Sequence, residues 1–300
     1  MELLTNLIAR LENMRPPIKW PFSFKKERKE RYKVHDVFCF TDVHGMYELY
    51  HRAIDYCMAQ DPECTIVYLG DACDRGQNGY KIMHELLDNP QVIYLMGNHE
   101  DIFCNAAREI KRHFDFSNCT KEQVETTFRR CMAFEDKYAS ICHSLYNGGL
   151  PTLIDWITDG MPMDFVERIE KLPLTFSYGN MDFCHAGGVY PAFRRAAEAE
   201  FHGDKVDFET KQMLLWDRGS FHMGWAPGRT CIFGHTPTVY LPSMYYGKDK
   251  SLANIHPCEY IGTWDERWSG KKICMDTATF FSNRLFVLNC LNIKYKNLIK

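Results

Sequence analysis

Three short apolar segments, each followed at once by polar residues, recur at near-equal intervals early in the chain and limit the fold more than any other feature. Roughly 30 residues separate Asp42 from Asp71, and Asp71 from Asn98, which is the length of one strand–helix–strand unit. The residues between them repeat apolar side chains at helical spacing. This pattern predicts a βαβαβ run with parallel strands in one sheet. The polar residues should then converge at the carboxyl edge of that sheet, where open α/β sheets bind ligands.

The rest of the chain divides into a helical part and a second β-rich part. Residues 101–171 place apolar side chains almost wholly at helical spacing, and strand-like segments return after Pro173, with one helical interval near 191–215. We therefore predict one large α/β domain over residues 33–300, of the size of a catalytic domain, with a mostly helical insertion. Residues 1–32 should form an N-terminal helical extension followed by a charged connector.

Composition argues against several classes of partner. The chain carries 36 Lys and Arg against 39 Asp and Glu, a net charge of −3, so we expect no nucleic-acid partner. No window approaches the roughly 18 consecutive apolar residues of a membrane helix, so we expect no membrane partner either. The 13 cysteines are odd in number and form no Cys-x-x-Cys pair, and Glu2, Asn6 and Arg10 interrupt any apolar leader. These features predict reduced thiols and a cytoplasmic location.

The polar residues at the strand ends are oxygen and nitrogen donors, with no thiolate among them. Two further clusters follow later strand-like segments. The candidate metal ligands are Asp42, His44, Asp71, Asn98, His185 and His235. Such a set suffices for two divalent metal ions that share one carboxylate. One Asp-x-His pair alone would be weak evidence, but three consecutive strands ending in this way are not expected by chance.

Five motifs carry these residues in a fixed order. They are TDVHG at 41–45, GDACDRG at 70–76, GNHE at 97–100, HAGG at 185–188 and GHTP at 234–237. With these motifs the chain resembles the calcineurin-like metallophosphoesterases, and more narrowly the phosphoprotein phosphatase group with its bacterial and phage serine/threonine phosphatases. The resemblance extends from about residue 34 to 290. It implies a four-layer α/β/β/α fold with a central β-sandwich.

The resemblance also implies a role for each candidate ligand. Asp42, His44 and a bridging Asp71 would hold one divalent metal ion. The second ion would be held by Asp71, Asn98, His185 and His235. Manganese is the expected metal, although iron, zinc and nickel accept the same ligands and availability decides between them.

Four further residues would act on the substrate if the resemblance holds. Arg75 and Arg218 would clamp the phosphate, and His99, oriented by Asp74, would donate a proton to the leaving alkoxide. One departure from the family pattern is Ala278, which stands where the family often has glycine and is expected to reshape a groove wall.

The implied reaction is hydrolysis of a phosphomonoester by direct attack of a hydroxide that bridges the two metal ions. Phosphoserine and phosphothreonine in proteins are the expected substrates, with phosphotyrosine as a further candidate. A dinucleoside polyphosphate hydrolase of the diadenosine tetraphosphatase type is the main alternative. A phosphodiesterase that acts on nucleic acid is disfavoured by the near-neutral charge. A non-catalytic binding module on the same fold is disfavoured because every ligand and His99 are present.

Three questions stay open at the level of sequence. The aromatic-rich residues 240–268 form either a surface loop or a wall of the substrate groove. The substrate is either a phosphoprotein or a small phosphoester. The oligomeric state is not indicated by any pattern in the chain.

Overall fold

The computed structural model describes residues 35–241, 254–261 and 269–298, which form ten strands and ten helices. The strands are β1 (Val37–Phe40), β2 (Thr65–Tyr68), β3 (Val92–Tyr94), β4 (Thr175–Tyr178), β5 (Met181–Cys184), β6 (Thr230–Phe233), β7 (Cys258–Ile261), β8 (Lys271–Cys274), β9 (Phe286–Asn289) and β10 (Lys294–Asn297). The helices are α1 (Tyr47–Gln60), α2 (Gly79–Asp88), α3 (Asn98–His113), α4 (Lys121–Cys131), α5 (Ala139–Tyr146), α6 (Leu150–Thr158), α7 (Met163–Glu170), α8 (Tyr190–His202), α9 (Phe208–Trp216) and α10 (Thr279–Ser282). The predicted extension over residues 1–32, and residues 242–253 and 262–268 of the aromatic segment, lie outside the described residues.

The strands form two five-stranded sheets. The first has the order β10-β9-β1-β2-β3, and β1, β2 and β3 are parallel as predicted. In its register Phe38 lies opposite Ile66, which in turn lies opposite Val92. The second sheet has the order β4-β5-β6-β8-β7, with three parallel central strands and an antiparallel strand at each edge.

The two sheets pack face to face, and helices cover both outer faces. Val37 of β1 lies in one buried cluster with Phe183 of β5 and Ile232 of β6, so this cluster joins the sheets. The alternate β1 residues, Phe38 and Phe40, point the other way and pack among residues of the helices. Helices α8 and α9 cover the outer face of the second sheet. The structure therefore confirms the predicted α/β/β/α layers.

The helical insertion is confirmed, while the later helical interval differs from its prediction. Helices α3 to α7 fill most of residues 101–171. The interval near 191–215 is two helices, because Gly203 ends α8 with a left-handed φ of +74° and Asp207 caps α9 by accepting a hydrogen bond from the amide of Thr210. No helix in the described ranges is both long and apolar enough to cross a bilayer.

The carboxyl ends of strands from both sheets meet at one edge of the sandwich. Asp42 and Asp71 follow β1 and β2, and Asn98 begins α3 shortly after β3. From the second sheet, His185 directly follows β5, and His235 lies two residues beyond the end of β6. The fold thus brings the predicted ligands together from five strand ends.

Candidate metal centre

The ligands sit on tight turns whose backbone is strained. Asp42, His44, Asp71 and His235 all have positive φ angles, between +43° and +66°. Residues with a Cβ rarely adopt this region, and each such residue costs on the order of 1–3 kcal/mol. The turns are therefore held by the surrounding packing, and they place all four residues at the same edge of the sandwich.

A first group of possible ligand atoms comes from His44, Asp71 and His99. The Nε2 atoms of His44 and His99 lie 3.7 and 3.9 Å from Oδ2 of Asp71. Nδ1 of His44 donates to the carbonyl of Cys73 at 2.9 Å, which leaves its Nε2 lone pair free for a metal. Burial also lowers the pKa of His44 well below its ordinary value, so the ring is neutral as a ligand must be.

A second group consists of Asp71, His185 and His235, with Asn98 between the two rings. Nε2 of His185 lies 3.3 Å from Oδ1 of Asp71 and 2.9 Å from Oδ1 of Asn98. Nδ1 of His235 lies 2.8 Å from the same amide oxygen. Because Nδ1 of His185 donates to the carbonyl of Leu69 at 2.8 Å, its Nε2 presents a lone pair to these oxygens. Nitrogen and oxygen atoms that lie this close together can coordinate the same cation.

Asp42 lies beside these groups but belongs to neither of them. Its carboxylate accepts a hydrogen bond from the amide of His235 at 3.1 Å and one from Oγ1 of Thr41 at 2.5 Å. Burial and the nearby carboxylates of Asp276 and Asp71 raise its pKa well above the ordinary value. Three buried carboxylates in one pocket repel one another, so this side of the site also favours bound cations.

The glycine of the third motif is required by the close approach of the bridging carboxylate. A Cβ at Gly97 would lie 2.3 Å from Oδ1 of Asp71 and 2.5 Å from Oε2 of Glu100. The backbone at Gly97 thus passes so close to the carboxylate of Asp71 that a residue with a side chain would not fit.

The structure adds Glu100, which the sequence reasoning left unassigned. It is fully buried, and its Oε2 accepts from the amides of Asp71 at 2.8 Å and Gly97 at 2.9 Å. Its Oε1 accepts from the amide of Ala72 and the hydroxyl of Tyr94, both at 2.7 Å. Burial and the charge of Asp71 raise the pKa of Glu100 to about 7. One carboxylate thus joins the turns after β2 and β3.

Glu100→Gln should therefore destabilise the protein even though the volume is unchanged. The new amide nitrogen would face groups that donate, and each backbone N–H left without an acceptor costs about 1–3 kcal/mol. We expect the free energy of unfolding of metal-free protein to fall by about 3 kcal/mol in urea at pH 8, where Glu100 is ionised. Glu167→Ala on the exposed surface of α7 is the control and should change it by under about 0.5 kcal/mol. Equal stability of Glu100→Gln and wild type would contradict the assigned network.

His99 lies between a carboxylate and an arginine. Its Nδ1 donates to Oδ2 of Asp74 at 2.8 Å, and its Nε2 accepts from Nη2 of Arg75 at 3.2 Å. Burial disfavours the imidazolium, but the charges of Asp71 and Asp74 outweigh it and raise the pKa of His99. The ring is therefore readily protonated once Arg75 moves from its Nε2.

The helical insertion contacts the backbone of Arg75 and Asp74. The amide of Arg75 donates to the carbonyl of Gly148 at 2.8 Å, and the amide of Asp74 donates to Oγ1 of Thr152 at 3.0 Å. Gly148 and Thr152 lie at the junction of α5 and α6. The helical insertion therefore stabilises the backbone conformation of the second motif through these two hydrogen bonds.

Arg218 reaches the same place from the loop after α9. Its Nη1 donates to the carbonyl of His235 at 3.0 Å. Arg75 and Arg218 line one cleft of about 540 Å³, together with His235, Tyr240 and Phe281. Both predicted arginines therefore face the space in front of the ligand groups.

Ala278, the departure from the family pattern, lies at a strained turn. Ala278 adopts a left-handed conformation with φ of +52°, which glycine takes without strain. Its amide donates to Oδ1 of Asp276 at 2.8 Å. The chain accepts the strain of alanine at this turn, just before the aromatic α10.

Comparisons with known proteins agree with this arrangement. Residues 35–250 match the family model described as calcineurin-like phosphoesterase, with the five motifs inside the match. The chain belongs to the calcineurin-like phosphoesterase family. Membership of this family, together with the His and Asp groups, indicates a metal-dependent phosphoester hydrolase with a dinuclear divalent metal site. No curated protein matches the chain.

Three solved structures are similar to the chain at low sequence identity. A putative diadenosine tetraphosphatase is 14% identical, covers 88% of this chain and 92% of its own, and has a TM-score of 0.50. A cold-active protein tyrosine phosphatase of a Shewanella species is 14% identical, with coverages of 89% and 81% and a TM-score of 0.43. A protein serine/threonine phosphatase of Saccharomyces cerevisiae is 14% identical, with coverages of 85% and 73% and a TM-score of 0.41. At 14% identity the likeness to the first of these structures shows the fold alone.

Proposed function

We propose that this phosphoesterase is a phosphomonoesterase that hydrolyses phosphoserine and phosphothreonine in proteins, with phosphotyrosine as a further substrate. The observation that carries the proposal is that Arg75 and Arg218 line one open cleft with the ligand His235, while Arg75 also contacts the buried His99–Asp74 pair beside the first ligand group. Two arginines and a protonatable imidazole in front of two cation sites match a terminal phosphate with one leaving oxygen.

The ligands for two ions are those assigned by resemblance. One ion would be held by Asp42, His44 and Asp71. The second ion would be held by Asp71, which the two ions share, and by Asn98, His185 and His235. When bound, two divalent ions polarise the phosphate and lower the pKa of a water molecule for attack on phosphorus. We expect manganese to support activity, and iron, zinc and nickel fit the same donors. The turns and glycines described above keep the donors in place before the ions arrive.

The arginines bind and orient the phosphate. Guanidinium groups match phosphate oxygens with two parallel hydrogen bonds, which a lysine does not do. Arg218 is anchored on the carbonyl of His235, so its remaining donors can turn into the cleft. Arg75 is engaged with Nε2 of His99, and an incoming phosphate would draw its guanidinium away from the ring.

That movement would leave His99 able to carry a proton on Nε2. Asp74 continues to accept from Nδ1, which stabilises the imidazolium and fixes its orientation. In this scheme Nε2–H donates its proton to the leaving oxygen, so that an alcohol is released and not a free alkoxide. Hydrolysis is direct in this scheme, with no phosphate bound covalently to His99.

A dinucleoside polyphosphate hydrolase is the second candidate, and one observation favours it. Two large aromatic rings, Tyr240 and Phe281, line the cleft and are 74% and 63% exposed. The guanidinium carbon of Arg75 lies 6.0 Å from the centre of the Phe281 ring. An exposed ring beside phosphate-binding arginines suits a base, because base–aromatic stacking contributes about 1–3 kcal/mol.

The decisive test compares a phosphoserine peptide with diadenosine tetraphosphate on manganese-loaded protein. We expect a higher kcat/KM for the peptide, and Phe281→Ala should change that value by less than about threefold. If the dinucleotide were the substrate, Phe281→Ala would raise its KM by about tenfold, since about 1.4 kcal/mol of stacking is a factor of ten.

Phe208→Ala is the matched control, because Phe208 is 75% exposed on α9 and does not line the cleft. Faster turnover of the dinucleotide, with the Phe281 effect confined to it, would replace the first candidate by the second. Turnover of neither substrate would favour a different phosphoester or the non-catalytic binding module.

A cytoplasmic location belongs to the same proposal. All thirteen cysteines lie in the described residues and none forms a disulfide bond; twelve are buried and Cys119 is exposed. Free thiols in this number suit a reducing compartment.

A further inference from the structure

A lysine is completely buried in the second sheet, behind the cleft. Lys272 lies in β8 with 0% of its surface exposed. Its Nζ donates to the carbonyl of Gly188 at 2.6 Å and to the carbonyl of Ser220 at 2.8 Å. Trp225 and Phe233 surround it, with ring centres 5.4 and 5.9 Å from Nζ. Burial of an ammonium group in such apolar surroundings costs free energy, and the two hydrogen bonds offset part of that cost.

The two carbonyls belong to two loops of the candidate site. Gly188 ends the fourth motif, three residues after the ligand His185. Ser220 lies two residues after Arg218, and its hydroxyl also donates to the carbonyl of Gly188 at 2.7 Å. The amide of Ser220 donates to Oδ2 of Asp217 at 2.9 Å and closes the turn that carries Arg218. Lys272 therefore ties the turn of Arg218 to the loop of a metal ligand.

The turn fixes the backbone of Arg218, and the carbonyl of His235 accepts a hydrogen bond from its guanidinium. If the ammonium were removed, two buried carbonyls would lose a charged donor, and charge-assisted hydrogen bonds are about twice as strong as neutral ones. The hydroxyl of Ser220 would still donate to the carbonyl of Gly188, but the hydrogen bonds from Nζ to both loops would be lost, so the turn would be freer to shift. A shift of about 1 Å in a positioning group costs about a hundredfold in rate.

We propose that Lys272 is a positioning residue that fixes the turn 217–220 and thereby holds Arg218 for phosphate binding. It acts through Arg218 and does not touch the substrate. The inference rests on the proposed function only in assigning Arg218 to the phosphate.

Lys272→Met tests this role, because methionine fills a similar volume and removes the donor. We expect KM for a phosphoserine peptide, and the Ki of inorganic phosphate, to rise about 10- to 100-fold, because Arg218 would no longer be held in position against the phosphate. The bound metal per chain should stay at the wild-type value, because no metal ligand is changed. Lys271→Met is the matched control: Lys271 is the neighbour on β8, pairs with Glu259 at 3.0 Å and is partly exposed, so both constants should stay unchanged.

A double-mutant cycle separates positioning from a general structural role. Combined with Arg218→Ala, Lys272→Met should have little further effect on Ki, because the residue through which it acts is already gone. Fully additive effects, or a wild-type Ki in Lys272→Met, would overturn the proposal. Should Lys272→Met not fold, Ser220→Ala replaces it: the loss of the Ser220 hydroxyl loosens the same turn, and an unchanged Ki there would also overturn the proposal.

The test is read separately from the proposed function. The Kd of inorganic phosphate on metal-loaded protein, measured by calorimetry, requires no turnover. Wild type that binds phosphate but hydrolyses no phosphomonoester would contradict the proposed function alone. Wild type that hydrolyses the peptide, with equal phosphate Kd for wild type and Lys272→Met, would contradict only the role of Lys272.

Discussion

Asp71→Asn is expected to lower kcat/KM by at least about 10³-fold, because about 4 kcal/mol of stabilisation by the metal ions would be lost. Asp71 belongs to both ligand groups, with Oδ2 3.7 Å from Nε2 of His44 and Oδ1 3.3 Å from Nε2 of His185. Burial opposes ionisation of Asp71, but the surrounding histidines hold its pKa well below the usual range, so the carboxylate is charged at neutral pH. Asparagine keeps the shape and removes the charge that two cations would share.

The measurement is the manganese content per chain after dialysis, followed by calorimetric titration with manganese and kinetics at saturating metal. We expect wild type to bind two ions and Asp71→Asn to bind one or none at the same concentration. Asp136→Asn on the exposed surface is the matched control and should bind two. If Asp71→Asn bound two ions with wild-type affinity, Asp71 would not be the bridging ligand.

His99→Asn is expected to lower kcat for a phosphoserine peptide by about 10²–10⁴-fold, the range for loss of a general acid. The loss should be much smaller for 4-nitrophenyl phosphate, because its leaving group departs without a proton. Metal content should not change, since His99 is assigned as the acid although its Nε2 lies within the first ligand group.

The two substrates decide between the two roles of His99. Equal losses for both, together with a lower metal content, would make His99 a ligand and refute the acid. Trapping of a covalent phosphohistidine would refute direct hydrolysis. Asp74→Asn should reduce kcat less than His99→Asn, since it removes only the partner of Nδ1. His202→Asn, exposed at the end of α8, is the control and should leave kcat unchanged.

The fold was largely predictable because its signals are local. The alternation of Val37 and Phe38 separates the two faces of β1, and apolar residues at helical spacing mark the crossover helices. The sequence did not predict how the strands of the second sheet pair with one another. The position of β8 between β6 and β7 depends on pairing between β6 and β8, whose partner residues lie about 40 positions apart in the chain, and no local period encodes this.

The site shows the same division. The ligand types and their order were readable, whereas Glu100 gave no signal of its task, although it follows the motif histidine directly. Its acceptors serve Asp71 and Ala72, which reach it only when β2 and β3 lie side by side. Lys272 was likewise one basic residue among many until the structure placed its ammonium between two loops.

By itself the sequence determined most of the strands, although not β7 and β10, together with the crossover helices, the family and the chemical nature of the donors, because residue type and spacing decide these properties locally. The tertiary structure alone decided which lone pairs face one another, which loop supports Arg218 and which nitrogen of His44 and His185 is free. These depend on distances of a few ångströms between residues far apart in the chain, and the packing of the two sheets sets such distances.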